Sequence, residues 1–135
     1  MSDVRPDLRE APYPLETHLG YQLTLWEPDR AVVELPLAPH LANRQGLPHG
    51  GIHATILDTA MGYAGCFTGD ADAPQMALTL SLTVNYLSRP NGTRLIADAR
   101  RTGGGASTFF AEAEVRDDTG DLIATATGVF RYRRG

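Results

Sequence analysis

The chain has 135 residues, 42% hydrophobic and 21% charged, with a formal net charge of −4, which is enough to bury one core and too short for two. That balance excludes a disordered chain, and the acidic charge excludes a nucleic-acid binder working through a broad basic surface. A single cysteine, Cys66, excludes an intrachain disulfide and fits a reducing compartment.

Residues 1–14 are polar and carry prolines. They read as a flexible arm with no secretory leader. No run of about 18 apolar residues exists for a membrane span, so a cytoplasmic protein is expected. A short helical turn is expected near Leu15–Leu19. Gly20–Glu27 and Arg30–Leu37 read as two strands, joined by the tight-turn residues Glu27-Pro28-Asp29-Arg30. Ala38–Pro48 reads as a loop. From Gly50 to about Phe67, apolar residues recur at Ile52, Ile56, Leu57, Ala60, Met61 and Ala64 with helical spacing. The other positions, such as Ala54, Thr55, Gly62 and Gly65, are small or neutral, so this helix should be buried on most sides. Its glycines imply close packing against another backbone.

Beyond Gly69, Asp70 and Pro74 the period becomes two. Leu78, Leu80, Leu82, Val84 and Tyr86 alternate with Thr79, Ser81, Thr83 and Asn85, predicting a strand whose leucine face is buried. Strands follow at about Thr93–Arg101, Ser107–Arg116 and Leu122–Tyr132, with turn chemistry at Gly103-Gly104-Gly105 and Asp117-Asp118-Thr119-Gly120. The short connections require antiparallel pairing, and the last four strands read as a meander. The expected architecture is α+β, with residues 15–135 forming a sheet of about six antiparallel strands around one long helix. A partner subunit is expected to cover the open side of that helix.

Leu47-Pro48-His49-Gly50-Gly51 followed by Leu57-Asp58-Thr59-Ala60-Met61-Gly62 resembles the helix signature of hotdog-fold thioesterases, in particular the PaaI-like branch. Thr83-Val84-Asn85-Tyr86-Leu87 with Arg89-Pro90, and Gly120 to Ala124 leading to Gly128-Val129-Phe130, extend the match in the same order. The resemblance implies hydrolysis of aryl- or medium-chain acyl-CoA thioesters without metal or cofactor. It also implies homodimers joined through their sheets, often paired into tetramers. A hotdog-fold enoyl-CoA hydratase and a non-catalytic acyl-CoA-binding protein are the alternatives, although no histidine follows His53.

Thioester hydrolysis needs a group that stabilises an oxyanion and a group that activates water. A helix start offers unpaired N–H groups in a positive field, and glycine lets a carbonyl approach them. Gly50 is therefore the first candidate donor and Gly51 the second. Asp58 is the only formally charged side chain between Arg44 and Asp70, and a carboxylate in so apolar a helix is costly unless it serves a function. The resemblance gives it the role of general base or nucleophile. Eight residues of helix separate Gly50 from Asp58, about 12 Å along the axis. That is too far for one thioester and one water, so the site is expected to be shared between antiparallel helices of two chains.

By the same resemblance, Asn43 is a second donor to the carbonyl and Thr79 positions the water. Alternation places Thr79 on the wrong face for this unless a bulge turns it. His49 is expected at the turn, touching substrate. Tyr86, Arg89, Pro90, Gly104, Gly105 and Ser107 match regions that cradle CoA, and Met61, Tyr63, Phe109 and Phe110 are candidates for the acyl pocket. The His49/His53 spacing lacks the rest of a metal motif, and Cys66 reads as a small core residue.

Overall fold

The computed structural model describes residues 2–133. After a helical turn, α1 (Pro14–Leu19), the elements are β1 (Gln22–Glu27), β2 (Arg30–Pro36), α2 (Gly50–Ala64), β3 (Met76–Tyr86), β4 (Arg94–Gly104), β5 (Thr108–Asp117) and β6 (Leu122–Arg133). The six strands form one antiparallel sheet in the order β1-β2-β4-β5-β6-β3. The sheet curls around α2. Its inner face contributes Val33, Leu35, Leu95, Phe109, Val115, Ile123 and Phe130 to the core, and the helix contributes Ile56, Leu57, Ala60 and Met61. Each fully buried Leu or Ile contributes about 1.5–3 kcal/mol.

The helix ends at Ala64, a turn before the sequence pattern implied. Gly65 caps it, and a Cβ there would lie 2.1 Å from the Phe109 ring. The close approach expected of its glycines is therefore to an aromatic ring and not to a backbone. Tyr132 also donates its hydroxyl to the Gly65 carbonyl at 2.7 Å, which satisfies one of the unpaired acceptors of the helix end.

Two expectations are corrected here. The first is the arm. Residues 2–13 are not a flexible tail but lie against the outer edge of β1. Val4 and Leu8 are buried, the Asp3 N–H donates to the Thr24 carbonyl at 2.6 Å, and the Ser2 hydroxyl donates to the Leu23 carbonyl at 3.2 Å. Two apolar side chains within a polar segment are enough to seat it, and the contact covers an otherwise open strand edge.

The second is the meander. Strand β3 pairs with β6, not β4, and takes the far edge of the sheet. The chain must then cross three strand spacings to reach β4, roughly 14 Å. Residues 87–93 span this gap, well within the reach of an extended segment. Neighbouring strands tie the crossing down. Leu87 and Ser88 donate N–H bonds to the Ile123 carbonyl. The buried Asp117 carboxylate accepts from the N–H groups of Asn91 and Gly92 and from the Thr119 hydroxyl and N–H. The Asp118 carboxylate accepts from Thr93 and from the Arg94 N–H.

These donors, first the Thr119 hydroxyl and then the backbone N–H groups, hold the Asp117 pKa down from 3.8 to about 2. A carboxylate with a depressed folded-state pKa stabilises the fold above its unfolded value, and the contribution fades as pH falls through the folded value. Asp117→Ala is therefore expected to lower Tm clearly at neutral pH. The gap to the unmodified chain should narrow between pH 3.8 and 2, as measured by thermal unfolding across that range.

Candidate active site

On α2 the side chains of His53, Ile56, Leu57, Ala60, Met61 and Ala64 are buried, whereas Gly51, Ala54, Asp58 and Gly62 lie along a less covered stripe. Asp58 is thus not sealed in the core, as the sequence implied, but half-buried on the open side of the helix.

Thr79 reaches it. Its hydroxyl donates to Asp58 Oδ1 at 2.6 Å, because the β3–β6 register shifts between Thr79 and Ser81. Leu80 is the extra residue, and a bulge of this kind reverses which face the following residues occupy. Ala77 and Thr79 before the bulge, and Leu82 and Val84 after it, turn toward the helix. Leu78 and Leu80 do not. Together with Met76 they are more than half exposed along the free edge of β3, so the expected buried leucine face exists only in its second half.

At the other end of α2, His49 occupies the N-cap position and its Nδ1 accepts the Gly51 N–H at 2.8 Å. That corrects the place of Gly51 as an oxyanion donor, since its N–H is already spent. The Gly50 N–H has no acceptor among the described residues. Tyr86 donates its hydroxyl to the Gly50 carbonyl at 2.7 Å and would lie 3.4 Å from a Cβ at Gly50. His53, buried and edge-on to Tyr86, has its Nδ1 on the His49 carbonyl, and burial lowers its pKa. The two histidines are therefore committed to the backbone rather than turned toward a common ion. Asn43 Oδ1 accepts the N–H groups of Gln45 and Leu47, a fixed turn that locks the side chain just before the helix.

The sheet divides the remaining candidates. Tyr86 lies in one row with Ala124 and Val115, whereas Thr79 shares its row with Phe130, Phe109 and Gly104. The rows are seven residues apart along β3, roughly 20 Å. Within one chain, Tyr86 bonds Gly50 at the start of α2 beside His49, Asn43 lies in the turn before it, and Arg89 and Pro90 follow Tyr86 in the chain. Asp58, Thr79, Gly104, Gly105 and Ser107 belong to the other end. The residues expected to cradle CoA thus fall into two groups within a single chain.

A cavity of about 200 Å³ opens beside Asp58 and Thr79, walled by Trp26, Tyr63, Cys66 and Phe130. Of the acyl-pocket candidates only Tyr63 lines it. Met61 and Phe109 are fully buried core, and Phe110 is exposed. Burial pushes the Cys66 thiol up to about 11, so it is not a nucleophile here. Trp26, whose indole donates to the Tyr63 carbonyl at 2.8 Å, and Glu10, whose carboxylate accepts the Tyr63 hydroxyl at 2.7 Å, were not singled out by sequence. Glu10 sits on a segment read as a loose arm, and the isolated Trp26 on β1 was the only visible signal.

Residues 45–124 match the model of the thioesterase superfamily. A protein of Saccharolobus solfataricus named as an esterase is 30% identical over 102 residues, covering 76% of this chain and 71% of the relative. A Bacillus halodurans protein solved with CoA is 36% identical, with a TM-score of 0.66 over 76% of this chain and 66% of that one. The PaaI protein of the E. coli phenylacetic acid degradation operon is 21% identical, with a TM-score of 0.78 over 90% and 85% of the chains, a likeness of fold. The chain belongs to the thioesterase superfamily, with the hotdog arrangement of sheet and helix that its motifs resemble.

Removing the cap by His49→Ala is expected to cost about 1 kcal/mol, read as a lower urea midpoint with unchanged slope.

Proposed function

We propose that the chain hydrolyses acyl-CoA thioesters of aryl or medium-chain acids at two equivalent sites, each built from two copies of the chain. One observation carries this reading: a carboxylate held by a threonine hydroxyl at a cavity, and an unpaired glycine N–H eight residues away on the same helix. The two groups suit one reaction and cannot serve one thioester from the same chain.

The exposed apolar edge of β3 is the surface through which two sheets join, since an unpaired strand edge of this kind pairs with another. A two-fold axis there sets the helices antiparallel and brings the first turn of one to Asp58 of the other. The same operation unites Tyr86, Arg89 and Pro90 of one chain with Gly104, Gly105 and Ser107 of its partner around CoA, with Arg89 on a phosphate. Further pairing into a dimer of dimers, and a reducing cytoplasmic setting, belong to the same proposal.

In the reaction, the Gly50 N–H and the positive end of α2 polarise the thioester carbonyl, and Asn43 supplies a second donor. Thr79 occupies Oδ1 of Asp58, leaving Oδ2 to take a proton from water as its oxygen attacks the carbonyl carbon. The tetrahedral intermediate collapses by breaking the C–S bond, and the proton passes to the leaving thiolate. Attack by Asp58 itself, through an anhydride, is the competing route. A single turnover in 18O-water tests the anhydride route: label in Asp58 shows an anhydride opened at the Asp58 carboxyl carbon, whereas direct water attack labels only the released acid.

Asp58→Asn is expected to lower kcat about 10²–10⁴-fold in a thiol-release assay, and Thr79→Val roughly tenfold or more. Gly50→Pro removes the N–H at a helix position where proline is tolerated, and should cost about 10²–10³-fold. Full activity in Asp58→Asn would sink the mechanism. Exchange of subunits between the Gly50→Pro and Asp58→Asn proteins should restore about a quarter of wild-type activity, as random pairing in a two-site dimer requires. No recovery would sink the shared site.

A further inference from the structure

The cavity beside Asp58 has a charge pattern that the hydrolytic reading does not need. Of the side chains lining it, two are carboxylates, Asp58 and Glu10, and none is basic. Glu10 comes from the segment packed along β1 and is held by the Tyr63 hydroxyl on its Oε1. Its Oε2 has no partner among the described residues. Tyr63 lies five residues beyond Asp58 on α2, about 7.5 Å along the axis, so the Glu10 carboxylate on its hydroxyl is a second acidic group in the cavity lining, apart from Asp58. Between them Gly62 leaves the floor open, since a Cβ there would come only within 3.8 Å of the Phe130 ring. A volume of about 200 Å³ has room for a short acyl chain.

We propose that Glu10 selects the acyl group. The cavity takes a short acyl chain whose far end is uncharged or donates a hydrogen bond, and it rejects one ending in a carboxylate. This rests on the reading that Asp58 is the catalytic carboxylate. A terminal hydroxyl meets the free Oε2 in a charge-assisted bond. A terminal carboxylate meets like charge in the lining and no cation to offset it. Glu10 is exposed in the single chain, so solvent screens part of the repulsion, and a discrimination of tens rather than thousands follows.

The test compares kcat/KM of the full-length protein on hexanoyl-CoA, 6-hydroxyhexanoyl-CoA and adipoyl-CoA, three substrates of one chain length. Adipoyl-CoA is expected to be at least tenfold poorer than hexanoyl-CoA, and the hydroxy substrate equal or better. Within Glu10→Gln the adipoyl penalty should shrink below threefold, and within Glu10→Arg it should disappear or reverse. Because each ratio is internal to one protein, a change in overall activity does not disturb it. Equal use of adipoyl- and hexanoyl-CoA by the unmodified protein, or an unchanged ratio in both variants, overturns the proposal and leaves the hydrolytic reading standing. Failure to cleave any of the three overturns the proposal, and the hydrolytic reading falls with it only if aryl-CoA thioesters are left intact as well.

Discussion

Alternation along a strand leaves one way to change which residues face a helix partway along, and that is to insert a residue that pairs with nothing. Strand β3 does this at Leu80. Without the irregularity, the leucines at 78 and 80 would point at α2 and Thr79 would point to solvent. With it, the two leucines are left at an open edge and the threonine hydroxyl lies 2.6 Å from the carboxylate of Asp58. One inserted residue thus creates both the polar contact at the cavity and the apolar border beyond it. The two features are coupled, because neither can be had in that register without the other.

The helix imposes a complementary constraint. Eight residues of helix set Gly50 and Asp58 about 12 Å apart along the axis, more than one thioester carbonyl and its attacking water can span. The open N–H at Gly50 and the carboxylate at Asp58 therefore belong to different local environments. The first is framed by Tyr86 and the Asn43 turn, the second by Thr79, Trp26 and Tyr63. The segment carrying Arg89 and Pro90 is fastened near the first of these by the paired aspartates of the β5–β6 turn. The fold spends a buried carboxylate on holding a crossing loop, which makes that loop as fixed as the strands beside it.

Much of this was legible in the residues. The helix with small residues around its circumference, the six strands and their turns, and the outlying Asp58 all follow from periodicity and polarity. What escaped has physical causes. The pairing of β3 with β6 is a matter of topology, which alternation does not encode. The bulge hides in an unbroken alternating run, where nothing at Leu80 differs from its neighbours. The spent N–H of Gly51 depends on the rotamer of one histidine ring. The role of residues 2–13 rests on two isolated side chains, Val4 and Leu8, that have no period at all, and Glu10 becomes visible only once they are seated.

The strand order also fixes when the cavity can exist. Every backbone partner of β3 lies on β6, from Tyr86 with Ala124 to Met76 with Arg133, so the edge strand has nothing to pair with until the last strand is in place. Contacts of such sequence separation form late and slowly. While the chain is being made, Met76, Leu78 and Leu80 must wait as an apolar stretch with both flanks bare, the kind of segment from which aggregation starts. The hydrogen bond between Thr79 and Asp58 joins an element made early to one that docks late. Its formation has to wait for that last strand.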